Sequence, residues 1–327
     1  MPLACLGLAL VLVGCSQARQ VQGTATLVDS TVASREAIMP LPLSVDLDTR
    51  RVALGHQLFE DPKLSHDGTI ACATCHPLDN GGTDRLPQSI GIKAQRGARN
   101  APTVFNSGFN FRQFWDGRAA TLEDQAGGPL TSPVEMGSSW PEALDRINTS
   151  PAYRQTFTAI YGAPATEAAV RDAIANFERS LVTPNSRFDQ YLRGDQTALT
   201  ADELDGYRKF SSYGCVSCHQ GMNIGGNMYQ RIGVMQPYIP APGAEDDRGR
   251  MRLTGDPADD HVFKVPSLRN VAVTAPYFHN GSMPTLESAV SAMGNYQLGR
   301  PLTGEEIAHL AAFLRTLTGE YNGRPLG

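Results

Sequence analysis

The chain has 327 residues, 7% of them aromatic, with 32 glycines, 22 prolines and a formal net charge of −5. An acidic balance excludes a nucleic-acid partner, which would call for a basic face. The length allows two units of ordinary domain size, and the Gly and Pro content fits helices joined by long loops.

Residues 3–13 form an eleven-residue apolar run, too short to span a bilayer but right for the core of an export signal. No Lys or Arg precedes it. The run ends Leu12-Val13-Gly14-Cys15, which is similar to a lipoprotein cleavage box. Residues 1–14 therefore read as a signal peptide and Cys15 as the lipid-bearing residue. Ser16 is of the kind that permits onward transfer to the outer membrane. Residues 15–40 are small and polar, close on Met39-Pro40, and read as a lipid-anchored tether.

A first unit is expected over 41–184. Its opening helix, 51–60, leads through Asp61-Pro62 and His66-Asp67-Gly68 into Cys72-Ala73-Thr74-Cys75-His76. Residues 77–140 lack periodicity and read as a long loop region, structured by Phe109, Phe111, Phe114 and Trp115. A helix follows over 167–182, capped by Thr166 with Pro184 beyond its end. The boundary is placed at Pro184-Asn185, and the second unit over 185–327. It opens on the capping box Thr200-x-x-Glu203, whose helix carries Tyr207 and Phe210 towards Cys215-Val216-Ser217-Cys218-His219. A late helix starts at Thr285. The last is capped by Thr303-x-x-Glu306 and lines Ile307, Leu310, Ala311, Leu314 and Leu317 on one face. Strand signals are weak throughout.

C-x-x-C-H is the attachment signature of c-type haem. Cys72 and Cys75, then Cys215 and Cys218, would form the thioethers, with His76 and His219 as proximal iron ligands. A structural zinc site would want four ligands, but each C-x-x-C has its own abutting histidine and no second cysteine pair beside it, and a redox dithiol would sit in a strand–helix context. Two covalent haems are expected. The fold expectation is mainly α, with two cytochrome c-like haem domains joined by long structured loops. The other cysteines, Cys5 and Cys15, lie in the apolar segment, so no disulfide is implied. Covalent haem is attached outside the bacterial cytoplasm, which agrees with the export signal and places the chain in the periplasm. The motifs stand 143 positions apart, a spacing that suggests a duplication, although the flanks do not establish one.

Five further stretches complete the pattern. They are Arg99-Asn100-Ala101-Pro102-Thr103, Gln113-Phe114-Trp115-Asp116-Gly117-Arg118, Ser132-Pro133-Val134-Glu135-Met136-Gly137, Val265-Pro266-Ser267-Leu268-Arg269-Asn270 and Ala275-Pro276-Tyr277-Phe278-His279-Asn280-Gly281. In this order and spacing the chain closely resembles the bacterial di-haem cytochrome c peroxidases, from about residue 53 to 317. The resemblance implies reduction of hydrogen peroxide to water with electrons from a small cytochrome c or cupredoxin. It makes Glu135 the distal carboxylate that moves a proton between the peroxide oxygens, Gln125 the distal hydrogen-bond donor, and Trp115 the residue between the haems. It makes Met293 the axial ligand of the second haem, where a thioether raises the potential. Met293 also shares an apolar helix face with Leu286, Ala289 and Val290, and Met222, Met228 and Met283 are its rivals. Asn100, Thr274 and Pro276 fall where the family binds calcium, through oxygen donors that suit that ion. Family members are often calcium-dependent dimers, which implies a homodimer.

One departure stands out. Many members carry a histidine sixteen residues after the first haem histidine, which caps the catalytic iron in the oxidised enzyme. Ile92 holds that position here, and no histidine occurs between His76 and His219. The first haem is therefore expected to be open as isolated, with Met136 and His261 as alternative caps. MauG-type enzymes, which oxidise protein side chains during cofactor maturation, also lack the capping histidine, but have an axial tyrosine where Met293 stands. The third reading, a non-catalytic di-haem electron-transfer cytochrome, would not need Glu135 or Gln125.

Overall fold

Helix starts follow the capping residues. The computed structural model describes residues 37–240 and 246–327, so the signal sequence, Cys15 and most of the tether lie outside the described residues. Among the described residues the helices are α1 (Thr49–Glu60), α2 (Cys72–Cys75), α3 (Leu122–Thr131), α4 (Trp140–Thr149), α5 (Pro151–Tyr161), α6 (Glu167–Ser180), α7 (Arg187–Leu192), α8 (Ala201–Ser212), α9 (Met251–Thr254), α10 (Leu286–Leu298) and α11 (Gly304–Arg315). Two short antiparallel ribbons pair β1 (Tyr229–Arg231) with β2 (Val262–Lys264) and β3 (Glu320–Tyr321) with β4 (Arg324–Pro325). The fold is mainly α.

Both capping boxes form. The Thr200 amide donates to Glu203 Oε2 at 2.8 Å and the Thr303 amide to Glu306 Oε2 at 2.7 Å, each satisfying a donor that the first helical turn cannot. Helix α6 stops at Ser180, two residues short of the expected end. Asn106 takes over there: its amide donates to the Leu181 carbonyl at 2.8 Å, and the Thr183 amide donates to its Oδ1 at 2.9 Å. The stretch 77–140 is not all loop either. Helix α3 is capped by Thr121, whose Oγ1 accepts from the Asp124 amide, and Gly127-Gly128-Pro129 interrupts the apolar pattern that would have announced it. Pro129 has no N–H to give, so it cannot bond the Gln125 carbonyl one turn back.

Two helix crossings organise the packing. Helix α1 meets α6 at Gly55, where an ideal Cβ would lie 1.9 Å from the Ala173 carbonyl oxygen. Helix α8 meets α11 at Gly206, where a Cβ would lie 2.0 Å from the His309 carbonyl oxygen. Only glycine allows so close an approach. One apolar core, with Leu54, Leu58, Ile147, Phe157 and Val170, surrounds the first crossing. Another, with Phe188, Tyr207, Phe210, Leu310 and Phe313, surrounds the second and also takes in Ile38. A smaller cluster joins Phe59, Phe105, Phe177 and Leu181 to Leu326 near the C-terminus. The buried pair Arg269–Asp189, at 2.7 Å, ties down the entering chain: Arg269 Nη2 donates to the Met39 carbonyl and the Leu41 amide donates to Asp189 Oδ1.

The flanks of the two haem motifs do repeat, at a shift that the motifs themselves conceal. Asn106 and Asn270, 164 positions apart, both adopt positive φ (60° and 61°) and cap short 3-10 turns. Both donate their side-chain amides to the same acceptor, Thr183 Oγ1, at 2.8 and 2.9 Å. At the same shift, Phe114-Trp115-Asp116-Gly117 matches Phe278-His279-Asn280-Gly281, with positive φ at the first and last residue of each. Bridges Gln113–Ala119 and Tyr277–Met283 close the two loops, and Thr121 and Thr285 cap the helices that follow.

Candidate functional site

Each C-x-x-C-H is a single turn closed by its own histidine. The His76 amide donates to the Cys72 carbonyl at 3.0 Å, and the His219 amide to the Cys215 carbonyl at 2.9 Å. The imidazoles are then fixed from behind. His76 Nδ1 lies 3.1 Å from the Gly82 carbonyl and His219 Nδ1 lies 3.4 Å from the Ile224 carbonyl. A carbonyl can only accept, so Nδ1 carries the proton and Nε2 keeps its lone pair for a metal. Desolvation pushes both imidazoles down, His219 to about 4, which keeps them neutral as iron ligands must be. Burial pushes the thiols the other way, Cys72 to about 12 and Cys75 and Cys215 to about 11. Reactive dithiols need a depressed thiol; Cys72, Cys75 and Cys215 are the opposite. Among the described residues no three His, Cys, Asp or Glu side chains gather as a metal cluster, as structural zinc would require.

A cavity of about 430 Å³ opens beside the second motif, lined by Cys215, Cys218, His219 and, from α10, Met293. Of the four candidate methionines only Met293 lines it. The cavity walls are mostly apolar side chains, and the donors they offer (two thiols, an imidazole nitrogen and a thioether) fit a c-type haem. Trp115, Asn100, Thr274 and Pro276 line the same cavity.

The repeat brings its two loops together here. Trp115 and His279, equivalent in the two halves, meet edge to face with ring centroids 6.4 Å apart. Reciprocal backbone bonds lock them: the Asn100 amide donates to the His279 carbonyl at 2.8 Å, and the Lys264 amide to the Trp115 carbonyl at 2.7 Å. Asn100 and Lys264 are themselves 164 positions apart. Trp115 Nε1 donates to the Asn100 carbonyl at 2.9 Å, while Asn100 Nδ2 donates to the Leu86 carbonyl at 2.8 Å. Arg99 bridges Asp116 and Asp247, each at 2.6 Å, and so braces the loop next to Trp115.

Glu135 sits on a tight loop folded back over the end of α3. Its amide donates to the Ser132 carbonyl, and those of Met136 and Ser138 to Pro129 and Leu130. Desolvation raises its carboxyl, partly offset by the Arg118 guanidinium. Burial first and, least of the causes, the Glu135 charge raise both Cys72 and Cys75, so the carboxylate is within electrostatic reach of the first haem motif. Gln125 lies on α3, the helix that leads into this loop. Ile92 fastens the other side. Its amide donates to the Glu135 carbonyl at 2.8 Å, its buried side chain packs against Gly137, and a Cβ on Gly91 would lie 2.1 Å from the Val134 carbonyl oxygen. Met136 is buried in the first core. His261 is held by Asp246 at 2.6 Å and Asp260 at 3.2 Å.

Three features escape a reading of single motifs: the glycine crossings, Lys264 at the centre, and the pairing of Trp115 with His279. Aligning residues 99–124 with 263–288 would have exposed the last two.

Comparison with known proteins agrees with this architecture. Residues 49–197 match the family model described as di-haem cytochrome c peroxidase, and 262–293 match a RoxA-like, cytochrome c-like model. The chain is 47% identical over 290 residues to the cytochrome c551 peroxidase of Nitrosomonas europaea, covering 88% of this chain and 86% of that one. It is 32% identical to the methylamine utilization protein MauG of Methylorubrum extorquens, over 88% and 83%. Among solved structures, a MauG-like protein associated with microbial copper homeostasis superposes with a TM-score of 0.73 at 31% identity, over 86% of this chain and 93% of that one. With its two haem-attachment turns and the loops that join them, the chain belongs to the di-haem cytochrome c peroxidase family.

Proposed function

We propose that the chain is a periplasmic peroxidase that reduces hydrogen peroxide to water with electrons from a small redox protein such as a cytochrome c or cupredoxin. When bound, the haems supply the iron at which the O–O bond breaks and the electrons that complete its reduction. The protein's part at the first site falls to Glu135. A carboxylate whose affinity for a proton is raised by desolvation suits taking one from the nearer peroxide oxygen and returning it to the departing one. Gln125 holds the peroxide by a hydrogen bond. With the haems bound, His76 and His219 would hold the two irons through Nε2, Met293 would offer its thioether to the second, and Trp115 would pass electrons between the halves. Met293, standing where MauG-type enzymes have tyrosine, speaks for the peroxidase reading over side-chain oxidation.

The observation that carries this reading is the pinned loop pair at residues 91–92 and 132–137. It presents a desolvated carboxyl beside the first haem motif and gives position 92 no ligating atom. The first haem is then open in the oxidised enzyme. Replacing Glu135 by Gln tests the assignment in an assay of peroxide-dependent oxidation of reduced cytochrome c. Loss of turnover with both haems attached supports it, and unchanged turnover removes Glu135 from the mechanism.

Three finer assignments follow the family pattern. Asn100, Thr274 and Pro276 all line the cavity. With Asn100 Nδ2 committed to Leu86, its Oδ1 and the two backbone carbonyls form an oxygen-only set suited to calcium, which would favour a homodimer. Cleavage before Cys15 and its lipidation would tether the enzyme to the outer membrane. No helix among the described residues is long and apolar enough to cross a membrane. Mass spectrometry of the mature N-terminus decides the anchor: an unmodified Cys15 removes it.

A further inference from the structure

Lys264 is the anomaly of the central cavity. Its side chain is 7% exposed, it lines the cavity, and among the described residues no carboxylate pairs with its ammonium. Asp116, next to the Trp115 whose carbonyl the Lys264 amide holds, is committed to Arg99 and Arg118, and Asp247 to Arg99. An unpaired buried cation is costly, so such a group either gives up its proton or is met by something anionic. Burial alone pushes this lysine down to about 8, with no protein group opposing the shift.

The internal repeat sharpens the anomaly. At the equivalent position the first half has neutral Asn100, and both residues give their backbone amides to the facing loop, Asn100 to His279 and Lys264 to Trp115. The scaffold therefore does not require a cation at this place. What differs is the side chain: Asn100 Nδ2 is spent on the Leu86 carbonyl, and no protein acceptor stands opposite the Lys264 ammonium among the described residues.

We propose that Lys264 is the counter-cation of the second haem, its ammonium holding a carboxylate carried on the edge of that cofactor. The inference rests on the reading that this cavity receives the haem attached to Cys215 and Cys218. Lys264 then acts as a positioning residue with an electrostatic consequence. A fixed positive charge beside the haem favours its electron-rich, reduced state, adding to the effect of Met293 on the same centre. Because Lys264 also fixes the Trp115 carbonyl through its backbone, the charge sits where the electron path between the halves begins.

The test is an equilibrium redox titration of the holoenzyme, comparing wild type with K264M, K264Q and K264R after two attached haems are verified by mass. The proposal expects K264M and K264Q to lower the reduction equilibrium constant of the second haem at least tenfold, about 59 mV for one electron. K264R should stay within about threefold of wild type, which corresponds to less than half of that 59 mV. A K264M potential indistinguishable from wild type overturns it. Should K264M fail to load its second haem, loading restored by Arg but not by Gln supports the proposal, and loading restored equally by both overturns it. The near-infrared band of methionine ligation separates the two readings. Its absence from the wild type would remove Met293, while the lysine-dependent shift would still be read.

Discussion

The two halves of this molecule share a scaffold and differ in what they place beyond the iron ligand. In each, a glycine crossing sets two helices together, a C-x-x-C-H turn is pinned through histidine Nδ1, and an asparagine at positive φ donates to Thr183. After the Thr285 cap, α10 runs on for thirteen residues and carries Met293 to the cavity. After the equivalent Thr121 cap, α3 ends within ten residues, and the Ser132–Gly137 loop brings Glu135 instead. On the proposed reading Met293 would close one site with a soft thioether, while the other would hold a desolvated acid and stay open to substrate. One repeated scaffold is thus made to differ through the length of the helix that follows the shared threonine cap.

The sharpest way to break this contrast is at the reaction centre. Glu135→Gln keeps the shape and removes the proton carrier, and peroxide turnover should fall about 10²- to 10⁴-fold, measured by steady-state oxidation of reduced cytochrome. On the other side, Met293→His should replace a thioether by a nitrogen ligand and lower the potential of the second haem. A redox titration that finds no change would return the axial role to another residue. The shared scaffold can be challenged at its crossings. Gly55→Ala or Gly206→Ala forces a Cβ into a backbone carbonyl. Such overpacking should destabilise the fold by about 1–3 kcal/mol, seen as a lower urea midpoint at unchanged slope.

A further test, of pH dependence, concerns Glu178 on α6, buried, with one carboxylate oxygen unpartnered. Burial pushes it up to about 8, against an ordinary value of 4.5. Between those values the unfolded chain has released the proton that the folded chain keeps, so wild-type stability falls as pH rises. Glu178→Gln has no proton to release. Its melting temperature relative to wild type should climb from about pH 5 to about pH 8 and level off above. A difference independent of pH would mean that the acid is paired in the folded protein.

Much of this was legible in sequence because it is local. The haem turns, the Thr200 and Thr303 boxes and the Thr166 cap are each decided within a few residues. The family motifs pointed to Glu135, Trp115 and Met293 through their neighbours. Helix α3 was missed because Gly127, Gly128 and Pro129 are poor helix formers that tertiary packing against α6 overrides. The glycine crossings and the Thr183 hub were not readable, since a glycine or a threonine says nothing of what approaches it from far along the chain. The repeat was hidden by arithmetic: the haem motifs recur at 143 positions and the loops at 164, so 21 extra residues in the second half break the register. Lys264 lies just outside the motif Val265–Asn270, so no motif singles it out. Its meaning comes from burial and from standing where Asn100 stands in the other half.

The central claim is that the first site is open and the second closed, because Ile92 offers no ligand and Met293 does. Mixing fully oxidised enzyme, with no prior reduction, with hydrogen peroxide and reduced c-type cytochrome tests it directly. The account predicts turnover from the first seconds, at a rate that pre-reduction of the second haem does not raise. Turnover that appears only after the second haem has been reduced would contradict it, and would mean that another side chain caps the first iron until an electron arrives.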